Sequence, residues 1–128
     1  MLWTEGVIGL IRLEPEFTVA KVADLSGVDF NREYVFLSKT DDELSLVCES
    51  SRLPSQCEAA ERGWRGLKIE GMLDFGLVGI IAGISGCLAA AGIGLFVVST
   101  YNTDYIFLKS EHLEEAVKVL KEKGYCVA

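Results

Sequence analysis

Between Asp74 and Asp104 the chain carries no charged side chain for 29 residues, Phe75 to Thr103. An apolar run of that length can cross a bilayer as a single helix, so it governs which folds are open. Three features point instead to a helix followed by a strand in a folded core. The period changes midway: Leu77, Ile80, Ile81, Ile84 and Leu88 share one helical face, whereas Leu95-Phe96-Val97-Val98, after Gly92-Ile93-Gly94, reads as a strand. The other helix face is small (Gly79, Gly83, Gly86, Ala90), which lets a helix lie close to a sheet, although Gly79-x-x-x-Gly83 also fits a membrane dimer motif. No Lys/Arg cluster flanks the run, so the charge asymmetry that orients a membrane span is missing. The expectation is a protein with no membrane association.

The rest of the composition narrows the function. A net charge of −7 with no basic cluster disfavours nucleic acid, whose phosphates call for Lys and Arg. The cysteines Cys48, Cys57, Cys87 and Cys126 form no Cys-x-x-Cys pair, and His112 is the one histidine. This spacing supports neither a zinc site nor a disulfide framework, so reduced thiols used as small apolar residues are expected, with no metal or cofactor. Met1 to Glu5 lacks a basic stretch leading into an apolar one, and the cytoplasm is the expected location.

Strands are expected over Gly6–Leu13 and Phe17–Ala23, with Glu14-Pro15-Glu16 as a turn between them. Tyr34–Ser38 and Glu43–Glu49 read as a hairpin, and Ser50–Gly63 as a polar loop with room for a short helix. A strand over Trp64–Met72 leads to a helix over Phe75–Ala91, with Asp74 as its N-cap and Gly92 as its stop. Strands follow at Gly94–Thr100 and Asp104–Lys109. The last helix has Ser110 as a cap, Glu111, Glu114 and Glu115 at its positive end, and Lys118, Lys121 and Lys123 toward its negative end. Leu113, Ala116, Val117 and Leu120 form its buried stripe, Gly124 stops it, and Tyr125-Cys126-Val127 can add a final strand.

The second half thus reads β-α-β-β-α-β, the order of a ferredoxin-like sheet with helices on one face. The first half looks like a worn copy. Val35-Phe36-Leu37-Ser38, turn, Leu44-Ser45-Leu46-Val47 echoes Phe96-Val97-Val98-Ser99, turn, Tyr105-Ile106-Phe107-Leu108 at an offset of 61 residues. A fold of class α+β is expected: two ferredoxin-like units packed side by side, the first (1–61) degenerate and the second (62–128) complete.

Leu73-Asp74-Phe75-Gly76-Leu77-Val78-Gly79-Ile80-Ile81, together with Ala90 through Ile106, resembles tandem ACT-domain proteins, the small stand-alone members related to the regulatory domain of aspartate kinase. Thr40 to Cys48 and Glu61-Arg62-Gly63-Trp64-Arg65 resemble them too, so the likeness covers roughly Tyr34 to Gly124. Asn102 departs from the pattern, standing where an aspartate is common. The resemblance implies paired ACT units that bind an amino acid between domains, near the loop entering the first helix. A helix N-terminus suits a carboxylate. Here that loop is Asp74, Phe75, Gly76, Leu77, Val78 and Gly79, and the facing strand end offers Ser99, Thr100, Asn102, Thr103 and Asp104. Asp74 reads equally as an N-cap, Ser99 and Thr100 as a strand end, and Asp104 as a turn residue.

No nucleophile–base pair, phosphate-cradling glycine run or metal-ligand spacing points to catalysis. The expectation is a non-catalytic regulatory or sensor module with no catalytic or metal residues, binding an amino acid as a homodimer or on a partner enzyme. The alternative is a dimerisation module without a ligand.

Overall fold

The computed structural model describes residues 8–70 and 79–128. In chain order they form β1 (Gly9–Lys21), β2 (Phe36–Lys39), β3 (Leu44–Glu49), a 3-10 turn (Ser50–Arg52), β4 (Ala59–Ile69), α1 (Ile80–Ala90), β5 (Phe96–Ser99), β6 (Asp104–Lys109), a second 3-10 turn (Ser110–His112), α2 (Leu113–Glu122) and β7 (Cys126–Val127). These make two compact units. The larger holds the described residues up to Glu14 and those from Arg65 to Ala128; the smaller is Pro15–Trp64.

In the larger unit the strand order is β7-β1-β4-β6-β5. From β4 onward its elements run β-α-β-β-α-β, a ferredoxin-like order, with the beginning of β1 inserted next to β7. Gly9 pairs with Cys126 and Leu10 with Val127 in parallel, and the Ala128 N–H donates to the Leu10 carbonyl at 2.8 Å. On its other side β1 accepts the Glu70 N–H at the Gly9 carbonyl, 2.8 Å.

The helices form for different reasons. Helix α2 is strongly amphipathic: Leu113, Ala116, Val117 and Leu120 are buried, Glu114 and Glu115 lie in its first turn and Lys121 in its last. Ser110 opens the 3-10 turn that feeds α2, and neither Lys109 nor His112 makes a side-chain cap. Helix α1 has no charged residue at all and is held by what it covers, through buried Ile84 and Leu88. Both helices end in the same hydrogen-bond pattern. At Gly92 (φ +76°) the glycine N–H donates to the Ala89 carbonyl, and the Ile93 N–H reaches back to Leu88, each at 2.9 Å. Gly124 and Tyr125 do the same to Lys121 and Leu120. A left-handed residue at that position favours glycine, because a Cβ there would crowd the following carbonyl.

Beneath the helices lies one apolar layer. Leu10 of β1, Leu67 and Ile69 of β4, and Ile106 and Leu108 of β6 meet Ile84, Leu88, Leu113, Ala116, Val117 and Leu120. Each large side chain so buried stabilises the unit by about 1.5–3 kcal/mol. On the opposite sheet face, Phe107 is fully buried and stacks on Phe96 with centroids 5.0 Å apart. Gly66 makes room there, since a Cβ on it would lie 3.0 Å from Leu13 Cδ1 and 3.1 Å from Phe107 Cε1. Thr103 is one of two buried polar residues in the described core, and its hydroxyl donates to the Ile69 carbonyl at 2.8 Å. That bond pins the turn between β5 and β6 to the end of β4.

The smaller unit has strand order β2-β3-β1-β4. Its hairpin repeats that of the larger unit at an offset of 60 residues: β2 on β5, β3 on β6, and the first 3-10 turn on the second. The pairing repeats as well, with Phe36 opposite Val47 as Phe96 is opposite Phe107. The offset of 61 expected from side-chain type is therefore wrong by one, which in a strand swaps the two faces. Leu46 and Cys48 correspond to Ile106 and Leu108, and Val47 to Phe107.

After the repeated 3-10 turn the two copies diverge. Leu113 is helical (φ −59°, ψ −49°) and starts α2, whereas Leu53 is extended (φ −64°, ψ 133°). Pro54 follows Leu53 and disfavours the helical region for it. Residues 53–58 therefore run as a loop into β4, which begins at Ala59, inside the stretch expected to be loop. Residues 22–35, between β1 and β2, also form no helix, so the smaller unit has no α-helix. Asx turns organise that loop: the Ser26 hydroxyl and N–H both donate to Asp24, which holds its carboxyl below the usual range, and the Asn31 N–H donates to Asp29.

β1 is one continuous strand, not two with a turn at Glu14-Pro15-Glu16. Pro15 is tolerated because it falls between the stretch paired to β7 and the stretch Phe17–Lys21 paired to β3.

Replacing Thr103 by Val should cost about 1–3 kcal/mol in urea denaturation, since it removes the donor to Ile69 while keeping the shape. Thr103→Ser, which keeps the hydroxyl, should recover most of that loss. The Cys48 thiol is pushed up from near 9.0 to about 11, by burial first and then by the neighbouring Cys57 and Glu49. The unfolded chain therefore loses this proton first. The stability that Cys48 contributes is complete below pH 9 and declines between pH 9 and about 11. Urea midpoints of the wild type should fall across that window more steeply than those of Cys48→Ala; parallel curves would refute the assignment.

Candidate ligand site

The turn joining β5 to β6 gathers five of the residues singled out in the sequence. Ser99 and Asp104 are the last pair of the hairpin. Beyond them the Thr100 N–H and hydroxyl both donate to the Thr103 carbonyl at 2.9 Å, and the Thr103 N–H returns to Thr100 Oγ1 at 3.4 Å. Thr40, the counterpart of Thr100 in the smaller unit, closes its own turn onto the Glu43 carbonyl in the same way. Thr100 thus has a turn-forming role in both copies.

The five differ in exposure. Ser99, Thr100 and Asn102 are exposed, Asp104 is half-buried and Thr103 is buried. The Thr103 hydroxyl is turned inward to Ile69 and holds the turn in place. Sequence alone does not separate an inward threonine from an outward one in a turn. It also passed over Tyr101, which stands at the tip with 79% of its surface exposed. The available signal was a large aromatic inside an otherwise polar turn.

Gly79 is the N-cap residue of α1, with φ +88° and no side-chain cap, and its carbonyl accepts the Gly83 N–H at 2.8 Å. The described helix starts at Ile80, later than the Phe75 expected from the sequence. No acidic side chain lies in its first turn, so nothing on α1 itself offsets the positive end of its dipole. Asp74, Phe75, Gly76, Leu77 and Val78 lie outside the described residues. The Thr103–Ile69 bond ties the hairpin turn to the end of β4, ten residues before Gly79 in sequence.

On the outer side of the larger unit a groove of about 430 Å³ runs between the helices, lined by Gly83, Gly86, Cys87, Ala90, Lys123 and Tyr125. Burial, and then the nearby Cys87, raise the Tyr125 phenol above its usual range. Among the described residues no three His, Cys, Asp or Glu side chains gather into a group that could hold a metal ion. No described helix is long and apolar enough to cross a membrane.

These features can be set against known proteins. Residues 59–122 match the sequence profile of the ACT domain. No curated protein sequence matches the chain. Among solved structures, the protein Atu0741 of Agrobacterium tumefaciens is similar at 31% identity and a TM-score of 0.85, over 95% of this chain and 92% of that one. The aspartate kinase of Clostridium acetobutylicum shares the fold at 18% identity and a TM-score of 0.61, over 91% of this chain and 34% of the kinase. The regulatory subunit of aspartate kinase from Thermus thermophilus does so at 8% identity and a TM-score of 0.57, over 84% and 92% of the two chains. With half its length matched by the ACT profile and its fold shared with aspartate kinase regulatory regions, the chain belongs to the ACT-domain family.

Proposed function

We propose that this protein is a non-catalytic regulatory module that binds an amino acid where the β5–β6 turn meets the entry to α1. The observation that carries this reading is the anchored turn. A buried hydroxyl fixes its position at 2.8 Å from β4, while Ser99, Thr100 and Asn102 face solvent and Asp104 is half-shielded beside them. An immobile polar edge of this kind pays little ordering entropy when a ligand docks. In the proposed arrangement the ligand carboxylate takes the free N–H groups of the first turn of α1. Its ammonium takes Asp104, or Asp74 from the entering loop.

The regulatory role follows from family membership, since ACT domains serve as ligand-binding regulatory parts of larger systems. The module works as a homodimer or on a partner enzyme, with an ACT unit of the second copy closing over the ligand. The four cysteines are free thiols, which suits the reducing cytoplasm. A second reading, a dimerisation module without a ligand, draws on the exposed and uncharged face of α1 at Ala82, Gly83, Gly86, Ala89 and Ala90.

A thermal-shift screen of the twenty common amino acids at millimolar concentration separates the two. A ligand at a hundred times its dissociation constant stabilises the folded state by about 2.7 kcal/mol, a readily visible shift. The expected result is a selective shift that disappears in Asp104→Ala. A flat screen with a concentration-dependent dimer in sedimentation would refute the ligand reading and favour the second.

A further inference from the structure

The smaller unit, which has no α-helix, carries an opening of its own. Beside the strand ends lies a cleft of about 420 Å³, lined by Pro15, Asn31, Arg32, Glu33, Tyr34 and Glu49. That volume falls within the range of small-molecule sites. Most of its polar groups come from the loop that replaces the first helix, while Glu49 ends β3. At the position of Glu49 the other copy has Lys109, so the acidic group belongs to this unit alone.

The decisive feature is an ion pair that is poorly made. Arg32 Nη2 stands 3.5 Å from Glu49 Oε2, well beyond the 2.7–2.9 Å of a tight charge-assisted hydrogen bond. Arg12 and Glu114, with an equally exposed arginine and a far more exposed carboxylate, close to 2.8 Å. The Glu49 side chain is only 19% exposed, and the cation it faces stands at a distance. Arg32, at 42%, keeps freedom to move. A small zwitterion inserted between them would give each charge a better partner. Its ammonium would bond Glu49, and its carboxylate would take the Arg32 fork in a bidentate pair. A lone cation would leave Arg32 repelled, and a lone anion would face Glu33 and Glu49. An α-amino acid has its two charges close enough to bridge this pair after a modest opening. Its side chain would then lie on Pro15 and on the Tyr34 ring, which is braced edge-on against Phe17 with centroids 6.2 Å apart.

We infer that the cleft at Arg32 and Glu49 of the smaller unit is a second ligand site, for a zwitterionic α-amino acid with an apolar side chain. It goes beyond the site proposed at the β5–β6 turn and does not depend on it.

Amide NMR spectra of the full chain, titrated with L-leucine and with L-phenylalanine to millimolar concentration, test this directly. The expected result is a saturable shift of the Asn31 to Tyr34 resonances with at least one of the two. Leucic acid, which lacks the ammonium, and isoamylamine, which lacks the carboxylate, should bind about tenfold more weakly than leucine or worse. Arg32→Gln and Glu49→Gln should each weaken binding by a similar factor while the rest of the spectrum stays folded. Absence of shifts at Asn31 to Tyr34 with both amino acids overturns the inference. So do analogues that bind as well as leucine, or variants that bind as well as wild type. The Thr100 to Asp104 resonances report the other site in the same spectra. Shifts confined to that turn overturn this inference and leave the proposed function standing, whereas shifts confined to the cleft uphold this inference and leave the turn to the screen of all twenty amino acids.

Discussion

The apolar layer between the sheet and the two helices is what the larger unit rests on. Helix α1 illustrates why. It has no charged residue, no side-chain cap and no acidic first turn, so it has little that would stabilise a helix in isolation. It persists because Ile84 and Leu88 are buried against Leu67, Ile69, Ile106 and Leu108, alongside α2. The position of its first turn, and with it the candidate site, is therefore set by sheet packing rather than by local helix chemistry. The Thr103 hydroxyl extends the same logic to the hairpin turn, which is fixed by a buried bond to β4.

Much of this was legible where periodicity and end signals agree. Helix α2 combines an apolar stripe, charges matched to its dipole and a stopping glycine. The two hairpins alternate clearly, and β6 falls at Asp104–Lys109 as expected. From Gly79 onward the charge-free run resolves into a helix and a strand, as its change of period implies. The misreadings each have a physical cause. Pro15 suggests a turn, yet it occupies a stretch of β1 between two pairing partners. The start of β4, Ala59 to Gly63, is polar and short of β-branched residues, so its strand comes from pairing rather than propensity. The offset between the repeats was off by one because Phe96 looks like Val35 and Tyr105 like Leu44, whereas backbone pairing aligns Phe36 with Phe96. Within the candidate site, the grouping of Ser99 to Asp104 was legible. The inward turn of Thr103 was not, because it depends on a carbonyl at Ile69, distant in sequence.

The two copies show how small a change separates a full unit from a reduced one. They share a hairpin, its register and the 3-10 turn that follows, down to the threonine that closes each turn. They part at Leu53 and Leu113, where a following proline makes one extended and its absence leaves the other helical. In place of helices the smaller unit has loops organised by Asp24 and Asp29, and a polar cleft lies beside its strand ends.

The parallel pairing of β1 with β7 bears on how the protein is made. Gly9 and Leu10 meet Cys126 and Val127, so the sheet of the larger unit joins segments far apart in sequence. Contacts so distant in sequence form late, because the long intervening chain must first be ordered. On the ribosome, residues 15–64 emerge and can complete their hairpin while β6, α2 and β7 are still being synthesised. The reduced unit is therefore available before the larger one, and the opening residues of β1 wait for a partner synthesised well after it.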